Sequence, residues 1–214
     1  MSSSIPQIDF SHFLEGREAG KKQVASQIGK ACREIGFFTL TDHGVSLKLI
    51  QRVFDANREF HQQPLEEKEE ILISHSAHHR GYHPFSAEAT DPNAKPDLKE
   101  AFDMALELPL DDPDVKAGKP FHGPNVWPRN PPQFRKTLEE YYQALLLLGE
   151  QICRCFALDL GLDEDYFVDK HSKPLAQLRL LHYPELDMSR HPDQQGAGAH
   201  TDYGSVAILT QDSI

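Results

Sequence analysis

Cysteine is scarce and odd in number, three in 214 residues. That excludes a disulfide-stapled secreted scaffold, and Cys32, Cys153 and Cys155, each in or beside a helical apolar pattern, are expected to be reduced core thiols. Positive charge is also short. Lys and Arg number 22 against 33 acidic residues, a formal net charge of −11, and without a local basic patch a polyanion such as nucleic acid would be repelled. No run approaches the roughly 18 apolar residues of a membrane span. The opening Met1-Ser-Ser-Ser-Ile-Pro lacks the charged start and apolar stretch of a secretion signal. The expectation is a cytoplasmic protein with neither a nucleic-acid nor a membrane partner, and the chain carries no internal repeat or low-complexity tract.

What is present suffices for a core. Hydrophobic residues make up 39% of the chain, and the length suits one domain or one and a part. Ile5, Ile8 and Phe10 read as a short strand. A helix follows from about residue 18 to 35, with Val24, Ile28, Ala31, Cys32 and Ile35 on one face and Gly36 as its stop. Phe37 to Leu40 reads as a strand running into the turn Asp42-His43-Gly44. Ser46 is a good N-cap for a second amphipathic helix with Leu49, Ile50, Val53, Phe54 and Phe60 inward. Pro64 starts a short helix over Leu65 to Leu72, on which Glu66 to Glu70, Lys68 included, should form a solvated face.

Residues 84 to 132 hold ten prolines and read as an excursion over the surface, apart from a strand over Ala101 to Leu108 and Trp127, whose indole should anchor it. From Pro131 a long helix carries Phe134, Leu138, Tyr141, Leu145, Leu148, Ile152 and Phe156 at helical spacing. Leu175 to Tyr183 is the next strand, and Gly196 to Thr210 the last.

The last segment carries the chemistry. His200 and Asp202 stand two apart at the mouth of an apolar run, and on a strand residues i and i+2 project to one side, so an imidazole nitrogen and a carboxylate oxygen can grip one ion. Two histidines and one carboxylate on one octahedral face leave three positions open, the arrangement of non-heme Fe(II) oxygenase sites. His200 and Asp202 would be two thirds of such a site. Spacing alone is weak support, because 12 histidines and 17 aspartates give about one His-x-Asp by chance. The second, His191-Pro192-Asp193, lacks a strand pattern and reads as a loop. Around His200, Gly196, Gly198 and Gly204 allow close backbone approach, and Val206 to Leu209 are expected to form a buried strand. The alternative is a plain hydrogen bond at a strand end.

Two other features bear on the site. Arg179 and Tyr183, four apart on one strand, share a face; a guanidinium can clamp a carboxylate and a phenol can donate to one, though a core tyrosine and an ion-paired arginine are the bland alternatives. His75, His78, His79 and His83 form a denser cluster, but Gly81 and Pro84 break the helix that would align it for zinc or nickel. His182 points away from the face of Tyr183 and makes a poor ligand.

The ordered segments Ile5-Pro-Gln-Ile-Asp-Phe10, Gly36-Phe-Phe-Thr-Leu-Thr-Asp-His-Gly-Val45, Arg80-Gly-Tyr82, Lys99-Glu-Ala-Phe-Asp103, Gly123-Pro-Asn-Val-Trp-Pro128, Leu178-Arg-Leu-Leu-His-Tyr-Pro184 and Gly198-Ala-His-Thr-Asp-Tyr-Gly204 resemble the isopenicillin N synthase-like family of Fe(II)/2-oxoglutarate-dependent oxygenases. The resemblance implies an α+β fold: an N-terminal α/β region over residues 1–130, then, over 131–214, a scaffold helix and the first strands of a double-stranded β-helix, or jelly roll, incomplete in this chain. It implies Fe(II) on His200 and Asp202, 2-oxoglutarate as co-substrate, dioxygen, and a small-molecule substrate that is hydroxylated, desaturated or cyclised. Tyr183 matches a position that contacts co-substrate or substrate, Arg179 one near the substrate, and Arg80 and Tyr82 would line the substrate pocket. Phe37, Phe38, Asp42 and His43 match as turn and core residues.

In that family the second histidine ligand and an Arg-x-Ser that holds 2-oxoglutarate follow well after the His-x-Asp pair. The expectation is that residues 1–214 are a fragment, inactive alone. Two alternatives stand beside it: an ethylene- and succinate-forming relative of the same fold, and a non-catalytic metal- or ligand-binding remnant.

Overall fold

The computed structural model describes residues 4–89, 95–187, 189, 191, 193–202 and 204–212. In chain order the elements are β1 (Gln7–Asp9), α1 (Ser11–Leu14), α2 (Glu18–Glu34), β2 (Thr39–Thr41), α3 (Leu47–His61), α4 (Leu65–Glu69), β3 (Gly81–His83), β4 (Glu100–Ala105), α5 (Pro113–Lys116), α6 (Phe134–Asp159) and β5 (Gln177–His182), with short 3-10 turns at Ile73–His75 and Val168–His171. They form two compact units, Met1–Ile50 with Gln143–Lys173, and Gln51–Tyr142 with Pro174–Ile214. Among the described residues no helix is long and apolar enough to cross a membrane.

In the first unit β1 and β2 pair in parallel, Ile8 opposite Leu40. The apolar stripe of α2 buries Val24, Ala25, Ile28 and Ala31, as its spacing predicts. Cys32 corrects the expectation of a core thiol: it is exposed, beside a shallow cleft bordered by Gly29, Phe156 and Leu160. Cys155 is buried and Cys153 half-buried. A side chain at position 29 would collide with the Asp159 carboxylate. Glycine there leaves Asp159 room to pair with Arg33 at 2.5 and 3.2 Å.

In the second unit β3, β4 and β5 form an antiparallel sheet in that order. The register sets Tyr82 opposite Phe102 and Phe102 opposite Leu180, so alternation puts these three on one face. Against that face Phe60, Phe102 and Phe134 meet at centroid distances of 5.0 to 5.3 Å, within the range where aromatic pairs attract beyond simple burial. Every residue of β4 is buried, so the proline-rich stretch is more than a surface excursion: it supplies the central strand. Gly81, at φ +122°, sits where a side chain would collide with the Ile71 carbonyl, which accepts a bond from the Tyr82 amide at 2.8 Å. Lys68 is a second correction. Expected in solvent, it is 6% exposed, with its ammonium donating to Glu100 at 2.8 Å and to the His61 carbonyl at 3.0 Å.

The strand expected over Gly196 to Thr210 is absent among the described residues. Val206 is half-buried and Ala207 exposed, while Ile208 and Leu209 are 36% and 83% exposed. A strand must pair its backbone N–H and C=O groups with a neighbour, and no described residue pairs with this segment. Near its end a bond of 3.1 Å joins the Thr210 and Tyr141 hydroxyls.

Candidate functional site

His200 lies in the loop after β5, with Gly196 to Gly198 leading into it. Gly196 is small where smallness matters, because a Cβ there would come within 2.9 Å of the Tyr183 ring. The ring of Tyr183, itself 49% exposed, lies against that approach. Nδ1 of His200 stands 2.7 Å from the Gly198 carbonyl oxygen; since a carbonyl only accepts, Nδ1 donates to it. Nε2 faces Asp202 Oδ1 at 3.2 Å. Adjacent ligands of an octahedral ion with bonds near 2.1 Å are about 3 Å apart, so the two atoms have the bite of neighbouring ligands. An imidazole whose remote N–H is held by a carbonyl is also the usual second layer of a histidine metal ligand. Both side chains are open, 43% and 60% accessible. Among the described residues no group of three or more His, Cys, Asp or Glu side chains could hold a metal, so the pair offers two positions, and the cluster of His75, His78, His79 and His83 does not assemble. Tyr203 of the motif, and Arg190 and Pro192 near the second His-x-Asp, lie outside the described residues. There Asp193 adopts φ +64°, a turn conformation.

Arg179, Arg80 and Tyr82 are bonded to other groups of the protein. Arg179 lies on the sheet face opposite the aromatic core. Its Nε and Nη2 bind Asp103 at 2.8 and 2.7 Å, and Nη1 and Nη2 bind Glu88 at 2.9 and 3.2 Å. It is thus paired with acids, its donors engaged, at 34% side-chain accessibility. Arg80, 2% exposed, donates to the backbone carbonyls of His78, His79 and Phe121. Tyr82, 1% exposed, donates its hydroxyl to Glu100. Burial and that bond raise the phenol well above its ordinary value.

Two charge networks that the sequence does not advertise lie on opposite faces of the sheet. On the core face Glu100 accepts from Lys68, Tyr82 and His182. Burial opposes its charge, but these three donors together hold its carboxyl below the usual range. Beside it His61 is pushed down to about 4 by burial; its Nδ1 donates to the Asn57 carbonyl at 3.0 Å and its Nε2 has no partner. On the other face His83 stands between two acids, Nε2 to Asp103 at 2.7 Å and Nδ1 to Glu88 at 3.1 Å. Burial opposes the charged ring, yet the bonds to Asp103 and Glu88 outweigh it and lift the imidazole to about 9.

The His83 network has a pH signature. A histidine raised from 6.5 to about 9 on folding stabilises fully below pH 6.5 and loses its contribution as pH rises through 9. At about 1.4 kcal/mol per pKa unit the loss is roughly 3 kcal/mol. Urea unfolding at pH 6.5 and 9 should show a decline in the wild type that His83→Gln lacks; parallel declines would detach His83 from the effect.

The class of protein follows from comparisons with known proteins. Residues 5–130 match the family described as "non-haem dioxygenase in morphine synthesis N-terminal". A 2-oxoglutarate-dependent dioxygenase of Didymella fabae is 34% identical over 219 aligned positions, covering 98% of this chain and 66% of that protein. A 2-oxoglutarate-Fe(II) type oxidoreductase of Emericella nidulans is also 34% identical, covering 98% and 61%. Among solved structures a full-length Neurospora crassa protein in complex with alpha-KG superposes with a TM-score of 0.78 at 31% identity, covering 94% of this chain and 62% of that one. The chain belongs to the non-haem, 2-oxoglutarate-dependent dioxygenase family. It spans between 61% and 66% of the length of these two curated relatives, and its α+β fold, with a jelly roll present in part, is that of the family's structures.

Proposed function

We propose that the whole protein is an Fe(II)- and 2-oxoglutarate-dependent dioxygenase that hydroxylates, desaturates or cyclises a small molecule. The observation that carries this is the His200 Nε2 to Asp202 Oδ1 separation of 3.2 Å with Nδ1 tied to Gly198. In the proposal residues 1–130 form the N-terminal region and 131–214 begin the jelly roll. His200 and Asp202 hold the ion from two adjacent positions, and a third protein ligand completes the face. When bound, the ferrous ion supplies dioxygen chemistry coupled to the oxidative decarboxylation of 2-oxoglutarate to succinate and carbon dioxide. Asp202 contributes the negative charge that favours a divalent ion, and His200 a neutral donor whose ring cannot turn while Gly198 holds it.

Tyr183, half open beside the approach to His200, is placed to donate its hydroxyl to a carboxylate of co-substrate or substrate. Arg179 is assigned to the substrate side, its charge set by Asp103 and Glu88, and Arg80 and Tyr82 to the packing behind that space. The substrate is a small molecule; thymine, bound in another structure of the Neurospora crassa protein, belongs to that protein. A cytosolic setting fits the three free thiols.

The test is succinate formation by the whole protein with Fe(II), 2-oxoglutarate and air, with and without candidate small molecules. Iron-dependent succinate supports the proposal, and none under any condition contradicts it. Tyr183→Phe should raise the apparent constant for 2-oxoglutarate or substrate about tenfold to a hundredfold, since a hydrogen bond to a charged group contributes about 1.5–3 kcal/mol. Unchanged constants would assign Tyr183 to packing alone.

A further inference from the structure

The antiparallel sheet of the second unit has two unlike faces. On one, Phe102 meets Phe60 of α3 and Phe134 of α6 at centroid distances of 5.3 and 5.0 Å. The other carries Asp103 and its register partner Arg179, joined by His83 and Glu88. A jelly roll packs two sheets face to face, so the face that these helices leave uncovered is the one that turns inward. The interior of such a fold is filled by side chains or encloses a ligand, and charged groups are costly there unless paired.

These four groups balance. Both ring nitrogens of His83 face carboxylates, so both donate and the ring is a cation. His83 and Arg179 thus stand against Asp103 and Glu88, and the charges cancel. Every nitrogen of Arg179 is engaged, Nη1 through one of its two hydrogens, which goes to Glu88 Oε2 at 2.9 Å. Glu88 Oε1 accepts from His83 Nδ1 and Arg179 Nη2, whereas Oε2 accepts from Nη1 alone among the described residues. A carboxylate oxygen has room for two donors, so one N–H on Nη1 and one acceptor position on Oε2 remain side by side. They lie at the open edge of the cluster: Glu88 and Arg179 are 33% and 34% accessible, His83 and Asp103 10% and 1%. The bond from His83 and the charge of Arg179 outweigh burial and hold the Glu88 carboxyl at about 2, so near neutral pH it only accepts.

We propose that Glu88 is a specificity-determining residue: with Arg179 it forms an edge that takes a neutral amide-type group of the substrate and turns carboxylates away. The substrate N–H goes to Glu88 Oε2 and its C=O to Arg179 Nη1. That the occupant is the substrate rests on the dioxygenase reading, whereas the preference for amide over carboxylate rests on the cluster alone. A carboxylate at Nη1 would lie beside ionised Oε2, and like charges at that range disfavour each other. Arg179, committed to two acids, is therefore not the carboxylate clamp that a lone guanidinium would be. An amide adds two hydrogen bonds and no charge, and a site that pairs with a substrate N–H rejects the analogue lacking it.

Benzamide and benzoate, which differ in amide against carboxylate, serve as matched probes of the whole protein. The Nε–H signal of Arg179 in metal-free 15N-labelled protein, assigned by its loss in Arg179→Lys, reports occupation of the edge. Benzamide should shift that signal and saturate at a concentration about tenfold or more below benzoate. Glu88→Gln removes the charge and adds a donor, and should abolish or reverse the preference; Glu88→Asp keeps the charge and should keep it. Should Glu88→Gln fail to fold, Glu88→Ala, which also removes the charge, carries the test. A Glu88 that only braces Arg179 would change both affinities together and leave their ratio fixed. Benzoate binding as tightly as benzamide, no response to either probe, or an unchanged ratio in the charge-removing variant would overturn the proposal. Succinate formation with Fe(II), 2-oxoglutarate and a panel of small amides and their matching acids separates this from the reading beneath it. Stimulation by amides is the expected result, and stimulation by the acids alone would overturn the substrate assignment. No succinate with any compound, alongside a retained benzamide preference, would contradict the dioxygenase reading and still establish the selectivity of the edge.

Discussion

Replacing Asp202 with alanine should lower iron-dependent succinate formation by the whole protein a hundredfold or more while leaving its folding stability nearly unchanged. The two halves of this expectation have separate grounds. Groups that only orient a metal ligand cost about 10- to 100-fold when removed, and a carboxylate bound directly to the ion also supplies formal charge, so its loss should exceed that range. Stability should be spared because Asp202 is 60% accessible and faces a His200 that is 43% accessible, and exposed ion pairs contribute about 0 to 1 kcal/mol. Activity lost with an unchanged urea midpoint therefore assigns a functional role. Activity within a few-fold of wild type would remove Asp202 from the site.

The largest stability effect should come from Asp103→Ala. Asp103 is fully buried on β4 and accepts from Arg179 Nε and Nη2 and from His83 Nε2. Deleting its carboxylate leaves two cationic groups facing Glu88 alone, and breaking a buried pair by removing one partner costs about 3–5 kcal/mol because the remaining charge is uncompensated. Urea unfolding at pH 7 should show a lowered midpoint with an unchanged slope. The double variant Asp103→Leu with Arg179→Leu should be less destabilised than Asp103→Ala, since no strong cation is then stranded. A loss under about 1 kcal/mol for Asp103→Ala would mean that the cluster is neutralised by solvent or proton release.

Periodicity made the helices legible. α2, α3 and α6 follow from the stripes of Val24 and Ile28, of Leu49, Val53 and Phe60, and of Phe134, Leu138 and Ile152, because a stripe that must be buried needs only its own spacing to be recognised. The strand Gln177–His182 was legible for the same reason. Val206 to Leu209 has the composition of a strand but lacks a neighbour, and pairing is not encoded in the segment that needs it. Lys68 sits in an acidic run that reads as solvated, and only tertiary structure shows Glu100 drawing it inward. Asp103 and His83 are ordinary in sequence; their burial depends on β4 being the central strand, which the prolines on either side of it obscure. Of the site, the His-x-Asp pair and the family are legible, whereas the internal bonding of Arg179, Arg80 and Tyr82 depends on partners 1 to 91 residues away.

Anaerobic Fe(II) titration of the whole protein, compared with its His200→Gln and Asp202→Ala variants, addresses the ligand pair most directly. One ion per chain in the wild type, with affinity lost in both variants, is the expected result. Equal Fe(II) affinity in all three proteins would contradict the assignment of His200 and Asp202 as ligands.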